Sequence, residues 1–170
     1  GNFVLDPALW DSKSLLQQKP EFFINVNVSA KQPERPDFCR VVLELLDKTE
    51  FPVRHLCLEI TERCRSLPVS VINERMAVLR GYGIKFAMDD FGTGSSSSAM
   101  ALEMLIDEIK IDMSFIRKIL VNKKNKAIVQ SMVDFANAAN IKSCLEGVEN
   151  KALEDYLRTV GATWFQGYYL

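Results

Sequence analysis

Carboxylate, amide and ammonium side chains recur in this sequence at or just after the ends of short apolar runs. Carboxylate and amide oxygens are hard ligands, which suit Mg²⁺ or Mn²⁺ better than zinc. Several carboxylates at one place would also repel each other unless cations neutralised them. Each residue alone could be a helix cap or a surface group, but their repetition along the chain predicts a divalent-cation site. The residues are Asn27, Glu59, Asp89, Asp90, Lys110, Glu146, Glu149 and Gln166.

The sharpest local feature is a pair of adjacent acids, Asp89 and Asp90, followed by Gly92 and Gly94. Adjacent acids at the end of a strand can address two cations on either side of the backbone. Two divalent ions about 4 Å apart suit an in-line attack on phosphorus, because they clamp the attacking and the leaving oxygens. A plain turn would explain the glycines but not the two acids before them. We therefore expect phosphoryl chemistry at this point of the chain.

Lys110 places an ammonium group inside an apolar run. It could orient a nucleophilic water or stabilise charge on a phosphate oxygen. The structural alternative is a surface lysine whose aliphatic stem passes the end of a strand and carries its charge to water. Schiff-base chemistry is a third possibility, but it requires an amine in apolar or cationic surroundings. The acids expected nearby keep the amine protonated, which disfavours an aldolase.

The elements that would position these side chains follow from two alternating periodicities. Short apolar runs predict strands at residues 22–26, 56–60, 84–88, 108–111, 141–145 and 163–165. Helical spacing predicts helices at residues 7–16, 38–46, 67–79, 127–139 and 152–160, with a further one at 96–105. Strands that alternate with helices predict a parallel sheet with helical crossovers, whose strands are buried on both faces.

An open doubly wound sheet and a closed (β/α)8 barrel both fit this alternation. A barrel gathers the carboxyl ends of all its strands at one mouth, whereas an open sheet mainly uses those near its switch point. Because nearly every strand ends in a polar residue, we predict an α/β fold of the TIM-like barrel class. Such a barrel has eight strands, and six are predicted in these 170 residues. We therefore expect it to be incomplete at the N-terminus.

The domain organisation and the composition complete the picture. We interpret residues 1–170 as a single domain, with 1–20 as the remnant of an earlier barrel helix and 21–170 as the core. The formal net charge of −1 gives no electrostatic reason to bind a nucleic-acid polymer. Neither a signal peptide nor a run of membrane-spanning length is found. We expect a cytoplasmic location, either free or as the cytoplasmic part of a membrane-anchored parent protein.

Six segments, in this order and spacing, closely resemble the EAL family of cyclic-di-GMP phosphodiesterases. The resemblance runs from about Phe22 to the last residue and implies a modified (β/α)8 barrel. It further implies hydrolysis of cyclic-di-GMP to linear pGpG with two Mg²⁺ or Mn²⁺ ions, in bacterial second-messenger signalling. The segments are Asn25-Val26-Asn27-Val28-Ser29, Leu58-Glu59-Ile60-Thr61-Glu62, Asp89-Asp90-Phe91-Gly92-Thr93-Gly94, Lys110-Ile111-Asp112, Glu146-Gly147-Val148-Glu149 and Gln166-Gly167-Tyr168.

The resemblance also implies which residues hold the two metal ions. Asp90 would serve the second ion. The ligands of the first ion would be Asn27, Glu59, Asp89 and Glu146.

Other roles are implied for the remaining matching residues. Lys110 would hold the attacking water, Glu149 would support substrate or water, and Gln166 would complete the floor of the site. Glu62 resembles the residue that ties down the loop after Asp90. In the family that loop is implicated in dimerisation and in coupling to sensory domains. We therefore expect a homodimer, and a parent protein with sensory or GGDEF-type domains.

Two departures from the family pattern bear on these expectations. The Glu-Ala-Leu signature is absent from the sequence, and its glutamate would be a metal ligand, so we expect the fragment alone to be inactive or weakly active. The loop after Asp90 reads Gly94-Ser95-Ser96-Ser97-Ser98, where the family usually has an aromatic residue after the second glycine. The alternative function is a catalytically inert EAL module that acts as a cyclic-di-GMP receptor or a protein-interaction domain. The retained acids favour the enzyme.

Overall fold

The structure, a computed structural model, describes residues 5–19, 21–29, 31–61, 68–94 and 97–170. These residues form two compact units, Gly1–Ala87 and Met88–Leu170, which are described in turn. Within the ranges given, no helix has both the length and the apolar character needed to cross a membrane.

The first unit consists of strands that follow one another in chain order, with a helix after each. β1 and β2 are parallel, with Ile24 opposite Leu56 and Val28 opposite Ile60. β2 lies between β1 and β3 in the sheet. The elements are α1 (Leu5–Gln18), β1 (Ile24–Val28), α2 (Phe38–Thr49), a 3₁₀ turn (Val53–His55), β2 (Leu56–Thr61) and α3 (Val69–Gly81), and β3 (Lys85–Phe91) begins in this unit.

α2 shows why helices form where the spacing predicts them. Phe38, Val42 and Leu46 recur every fourth residue and are at most 3% exposed. This spacing puts them on one face of the helix, which packs into the core of the unit. The helix is capped by Glu50, the residue after Thr49, whose φ of 50° is left-handed and whose N–H donates back to the carbonyl of Asp47.

The two strands of the first unit differ in how they are buried. β2 is buried throughout residues 56–60, as expected for a strand covered on both faces. β1 instead alternates, with buried apolar residues on either side of the exposed Asn25 and Asn27. The prediction that the strands are buried on both faces is therefore wrong for β1. Asparagines occupy every second position of this strand and so make up one of its faces.

The second unit continues the same alternation. Its strands lie in the order β3-β4-β5-β6, and β5 is parallel to both of its neighbours. Ile111 of β4 lies opposite Leu145 of β5, which lies opposite Phe165 of β6. The elements after β3 are α4 (Ser97–Glu103), β4 (Glu108–Ile111), α5 (Met113–Ile116), α6 (Lys123–Ala138), β5 (Lys142–Glu146), α7 (Lys151–Leu157) and β6 (Trp164–Gln166).

Side-chain caps begin two helices of this unit immediately after residues of the predicted site. Asp112 Oδ1 accepts a hydrogen bond of 2.9 Å from the N–H of Ser114, and Asn150 Oδ1 accepts one of 3.0 Å from the N–H of Leu153. Such caps satisfy backbone N–H groups that the first turn of a helix leaves without partners. Asp112 follows β4 directly, so α5 starts one residue after the strand that carries Lys110.

All six predicted strands occur, and β4 has the predicted bounds. β1 lies two residues further along the chain than predicted, so Asn27 lies inside the strand rather than after it. β3 continues to Phe91, so Asp89 and Asp90 also lie within a strand. The strand order never reverses in either unit, whereas an open doubly wound sheet requires a reversal at its switch point. This order supports the barrel class.

Candidate functional site

The second unit contains a buried cluster formed by Lys110, Glu146 and Asp89. The Lys110 side chain is 5% exposed, and its Nζ lies 2.8 Å from Glu146 Oε1 and 3.6 Å from Asp89 Oδ1. Both carboxylate side chains are 17% exposed. The cluster joins three neighbouring strands, because Asp89 lies on β3, Lys110 on β4 and Glu146 on β5.

The strand register explains why Lys110 and Glu146 meet. Lys110 pairs with Cys144, and Glu146 lies two residues further along β5. Residues two apart on a strand face the same side of the sheet, so Glu146 presents its carboxylate on the face that Lys110 occupies. The interpretation of Lys110 as a surface lysine is therefore wrong, because the register carries its ammonium into a buried position beside two acids. A buried charge is tolerated when it is paired in this way.

Asp90 follows Asp89 in an unusual backbone conformation. Its φ is 55°, a left-handed value that aspartate tolerates better than most residues. Its carbonyl accepts hydrogen bonds from the N–H and the Oγ1 of Thr93, at 3.1 and 2.9 Å. The side chain of Asp90 is exposed, whereas Asp89 is mostly buried. The two adjacent acids are thus presented differently to solvent.

The segment after these acids is held by aromatic and apolar packing. Phe91 is 2% exposed and its ring stacks on Phe135, with the ring centroids 6.0 Å apart. Gly92 has a φ of 95°, and a Cβ at this position would overlap Met132 and lie 3.1 Å from the ring of Phe115. The backbone beside Asp90 is therefore fitted closely against α5 and α6.

Glu149 and Gln166 are exposed residues close to Glu146 of this cluster. Glu149 follows Glu146 in the sequence, and Gln166 lies opposite Glu146 in the strand register. Gln166 pairs with Glu146 across β5 and β6 and is exposed, and its carbonyl accepts a 3.1 Å hydrogen bond from the N–H of Val148. Glu149 is 49% exposed and its Oε1 lies 3.6 Å from Arg117 Nε. Sequence reasoning did not single out Arg117. It lies directly after the four-residue helix α5, which is too short to show a helical period in the sequence.

In the first unit the structure brings together Asn27 and Glu59, which are direct partners in the β1–β2 register. Glu59 is 3% exposed, whereas Asn27 is exposed. Glu62 lies outside the described residues. That the pair in the first unit and the cluster in the second share one pocket stays a prediction.

The donor set fits a hard divalent cation in kind, since carboxylate and amide oxygens are what Mg²⁺ and Mn²⁺ prefer. Over the described ranges, however, no three Asp, Glu, His or Cys side chains lie close enough together to hold a metal ion. In the second unit the two carboxylates of Asp89 and Glu146 are joined by the ammonium of Lys110 instead. The two cation sites therefore also stay predictions.

A family model described as "EAL domain" matches residues 1–170. The chain belongs to the EAL domain family. The EAL chain is 30% identical over 165 residues to cyclic di-GMP phosphodiesterase PdeA of Borreliella burgdorferi, covering 97% of this chain and 25% of that protein. It is 32% identical over 145 residues to cyclic di-GMP phosphodiesterase PdeB of Shewanella oneidensis, covering 85% of this chain and 17% of that protein.

A solved EAL structure, the MucR phosphodiesterase of Pseudomonas aeruginosa in complex with c-di-GMP, has the same fold. The TM-score is 0.89 at 30% identity, over 97% of this chain and 67% of that chain. The fold prediction is thereby confirmed as α/β, of the TIM-like barrel type of EAL structures. The EAL chain spans a quarter or less of the length of PdeA and PdeB.

Proposed function

We propose that the protein containing this EAL chain hydrolyses cyclic-di-GMP to linear pGpG. The single observation that carries the proposal is the buried Lys110–Glu146–Asp89 cluster, which places one ammonium and two carboxylates at adjacent strands. Membership of the EAL family supports the substrate, because the relatives PdeA and PdeB are named cyclic di-GMP phosphodiesterases. The proposal concerns the whole protein, because this chain spans only a quarter or less of the length of these two relatives.

The acids and Asn27 are proposed as ligands of two Mg²⁺ or Mn²⁺ ions. Asp90 would hold one ion. The other would be held by Asn27, Glu59, Asp89 and Glu146. Divalent ions, when bound, neutralise phosphate charge and make water a better nucleophile.

The chain's own residues would then position the reacting groups. The ammonium of Lys110, paired with Glu146, would donate hydrogen bonds to the attacking water or to a non-bridging phosphate oxygen. The water oxygen would bond to phosphorus and give up a proton, the bond from phosphorus to the 3′ oxygen would break, and the 3′ oxygen would take up a proton in its place, so that the protons balance. Glu149 would support the water or the substrate, and Gln166, next to Glu146 in the register, would form the floor of the site.

The test is an assay of the full-length protein with cyclic-di-GMP and Mn²⁺ or Mg²⁺, in which pGpG is separated by chromatography. We expect pGpG from the wild type and a loss of about a hundredfold or more in kcat for Lys110→Met. Lys151→Met is the matched control, because Lys151 lies in an exposed ion pair with Asp155 and should leave the rate unchanged. A folded full-length protein that yields no pGpG would refute the proposal.

Binding of cyclic-di-GMP without hydrolysis in the same assay would instead identify the inert receptor. Light scattering on the same preparation tests the proposed homodimer. A cytoplasmic location and accompanying sensory or GGDEF-type domains are proposed on the same family basis.

A further inference from the structure

The contact between Lys110 and Glu146 uses an oxygen that a metal ion would also need. Nζ of Lys110 lies 2.8 Å from Oε1 of Glu146, the distance of a charge-assisted hydrogen bond. A bound Mg²⁺ ion approaches its carboxylate ligands to about 2.0–2.1 Å. An ammonium and a divalent cation on the same carboxylate oxygens repel each other, so each weakens the other's hold.

We infer that Lys110 competes with the divalent cation for Glu146 and Asp89, and so sets the cation affinity of the site. The inference rests on the proposed function for the location of the metal ion. It goes beyond that function because it gives Lys110 a second role, separate from any contact with water or substrate.

The burial of the cluster makes this competition strong. The Lys110 side chain is 5% exposed, so its charge is poorly screened by water. Two carboxylates and one ammonium leave the three side chains with a net charge of −1. Removing the ammonium would make the same pocket more negative by one unit and remove its hydrogen bond to Glu146 Oε1. Both changes favour a divalent cation.

The position of Lys110 on the middle strand limits where its ammonium can go. Its backbone is fixed between β3 and β5, which carry Asp89 and Glu146. A cation that takes Glu146 therefore leaves the ammonium next to the reacting groups rather than in bulk water. The lysine that opposes the cation is then released to donate hydrogen bonds to a phosphate oxygen. Cation binding and readiness for catalysis would be linked through a single side chain.

The experiment is a titration of the full chain with Mn²⁺ in the absence of nucleotide, followed by the electron paramagnetic resonance signal of free Mn²⁺. Lys110→Met keeps an apolar stem of similar length and removes the charge. We expect its Kd for Mn²⁺ to be lower than that of the wild type by roughly tenfold or more. Lys151→Met, which removes a lysine from an exposed ion pair, should leave the Kd unchanged.

Thermal unfolding supplies a second readout that does not depend on activity. In EDTA, Lys110→Met should melt below the wild type, because two buried acids lose the ammonium between them. Saturating Mn²⁺ should raise its Tm by more than it raises that of the wild type. Lys110→Arg keeps the charge and should bind Mn²⁺ no more tightly than the wild type.

An unchanged or higher Kd for Lys110→Met would overturn the inference, as would an absence of Mn²⁺ binding by every variant. If Lys110→Met does not fold in EDTA, the neutral Lys110→Gln replaces it in the same titration with the same expected order. The titration uses Mn²⁺ alone, so it separates the two proposals. The expected order of Kd values, with no hydrolysis by the full-length protein, would retain the inference and refute the proposed function. Hydrolysis by the full-length protein, with a Kd unaffected by Lys110, would do the reverse.

Discussion

Gly147 lies so close to Met113 that a Cβ on the glycine would be 2.6 Å from the Cβ of Met113. The glycine also has a φ of 80°, which most side chains avoid. This contact fixes the turn that follows Glu146 directly against α5. The position of the carboxylate beside Lys110 therefore depends on a residue that has no side chain of its own.

Gly147→Ala should destabilise the chain, because the new methyl group meets Met113 in a strained backbone conformation. We expect the free energy of unfolding to fall by about 2–4 kcal/mol, measured by urea unfolding. Gly161→Ala is the matched control, since Gly161 has a similar φ of 85° but nothing within 4 Å of the new Cβ. Equal losses for the two variants would show that the contact with Met113 is unimportant.

Gly92→Ala should be destabilising for a related reason, since its Cβ would overlap Met132 and approach the ring of Phe115. Met132→Ala removes the first obstacle at the cost of packing. In a double-mutant cycle we expect the double variant, Gly92→Ala with Met132→Ala, to lose less unfolding free energy than the sum of the two single losses. The difference should be about 1 kcal/mol. Additive losses would argue that Gly92 is required for its φ alone.

Glu146→Gln and Glu149→Gln should have different effects on stability, because Glu146 is mostly buried and Glu149 is exposed. Glu146 faces the buried ammonium of Lys110, so its replacement should cost about 2–4 kcal/mol of unfolding free energy. Glu149 pairs with Arg117 at 3.6 Å and both are half exposed, so its replacement should change stability by less than about 1 kcal/mol. Chemical unfolding measures both. A similar cost for the two variants would contradict the burial of the cluster.

The pH dependence of the unfolding free energy should reveal how much the ionised Glu154 carboxylate stabilises the fold. Hydrogen bonds of 2.9 and 2.6 Å from the Arg158 guanidinium lower the pKa of the Glu154 carboxyl below its ordinary value of 4.5. A pKa that folding lowers stabilises the fold above the pKa of the unfolded chain, and this contribution is lost as the pH falls through the folded-state pKa.

Glu154→Gln should therefore be less stable than the wild type near neutral pH, and the gap should narrow as the pH falls below 4.5. Urea unfolding of both proteins across this range makes the measurement. Asp155→Asn is the control, since Asp155 is 59% exposed and should show a smaller difference at every pH. A gap that does not vary with pH would exclude this role for Glu154.

The strands were predictable because their apolar runs carry the information locally. β4 is an example, since its four residues are all buried and Ile109 and Ile111 mark it although Glu108 and Lys110 are charged. The sequence predicts β1 two residues too early, because the apolar run begins before the strand and the strand itself alternates apolar residues with exposed asparagines. β3 was ended too soon for a similar reason, since Asp89 and Asp90 look like a loop although their backbone continues the strand.

The partners of Lys110 could not be predicted from residue spacing. Whether Lys110 meets Glu146 depends on β4 and β5 being neighbours and on the register that sets Lys110 opposite Cys144. The short helix α5 was missed because four residues are too few to show a helical period. With α5 unrecognised, nothing in the sequence placed Arg117 near Glu149.

The burial of Lys110 between two acids restricts how a descendant of this chain could lose that lysine. A single change to a neutral residue would leave the mostly buried carboxylates of Asp89 and Glu146 without the ammonium that pairs with both, and the fold would be less stable. Loss of this lysine alone is thus penalised even in a lineage that does not need the proposed reaction. Inert descendants are expected to have exchanged Asp89, Lys110 and Glu146 together, for a set of uncharged side chains that fills the same space.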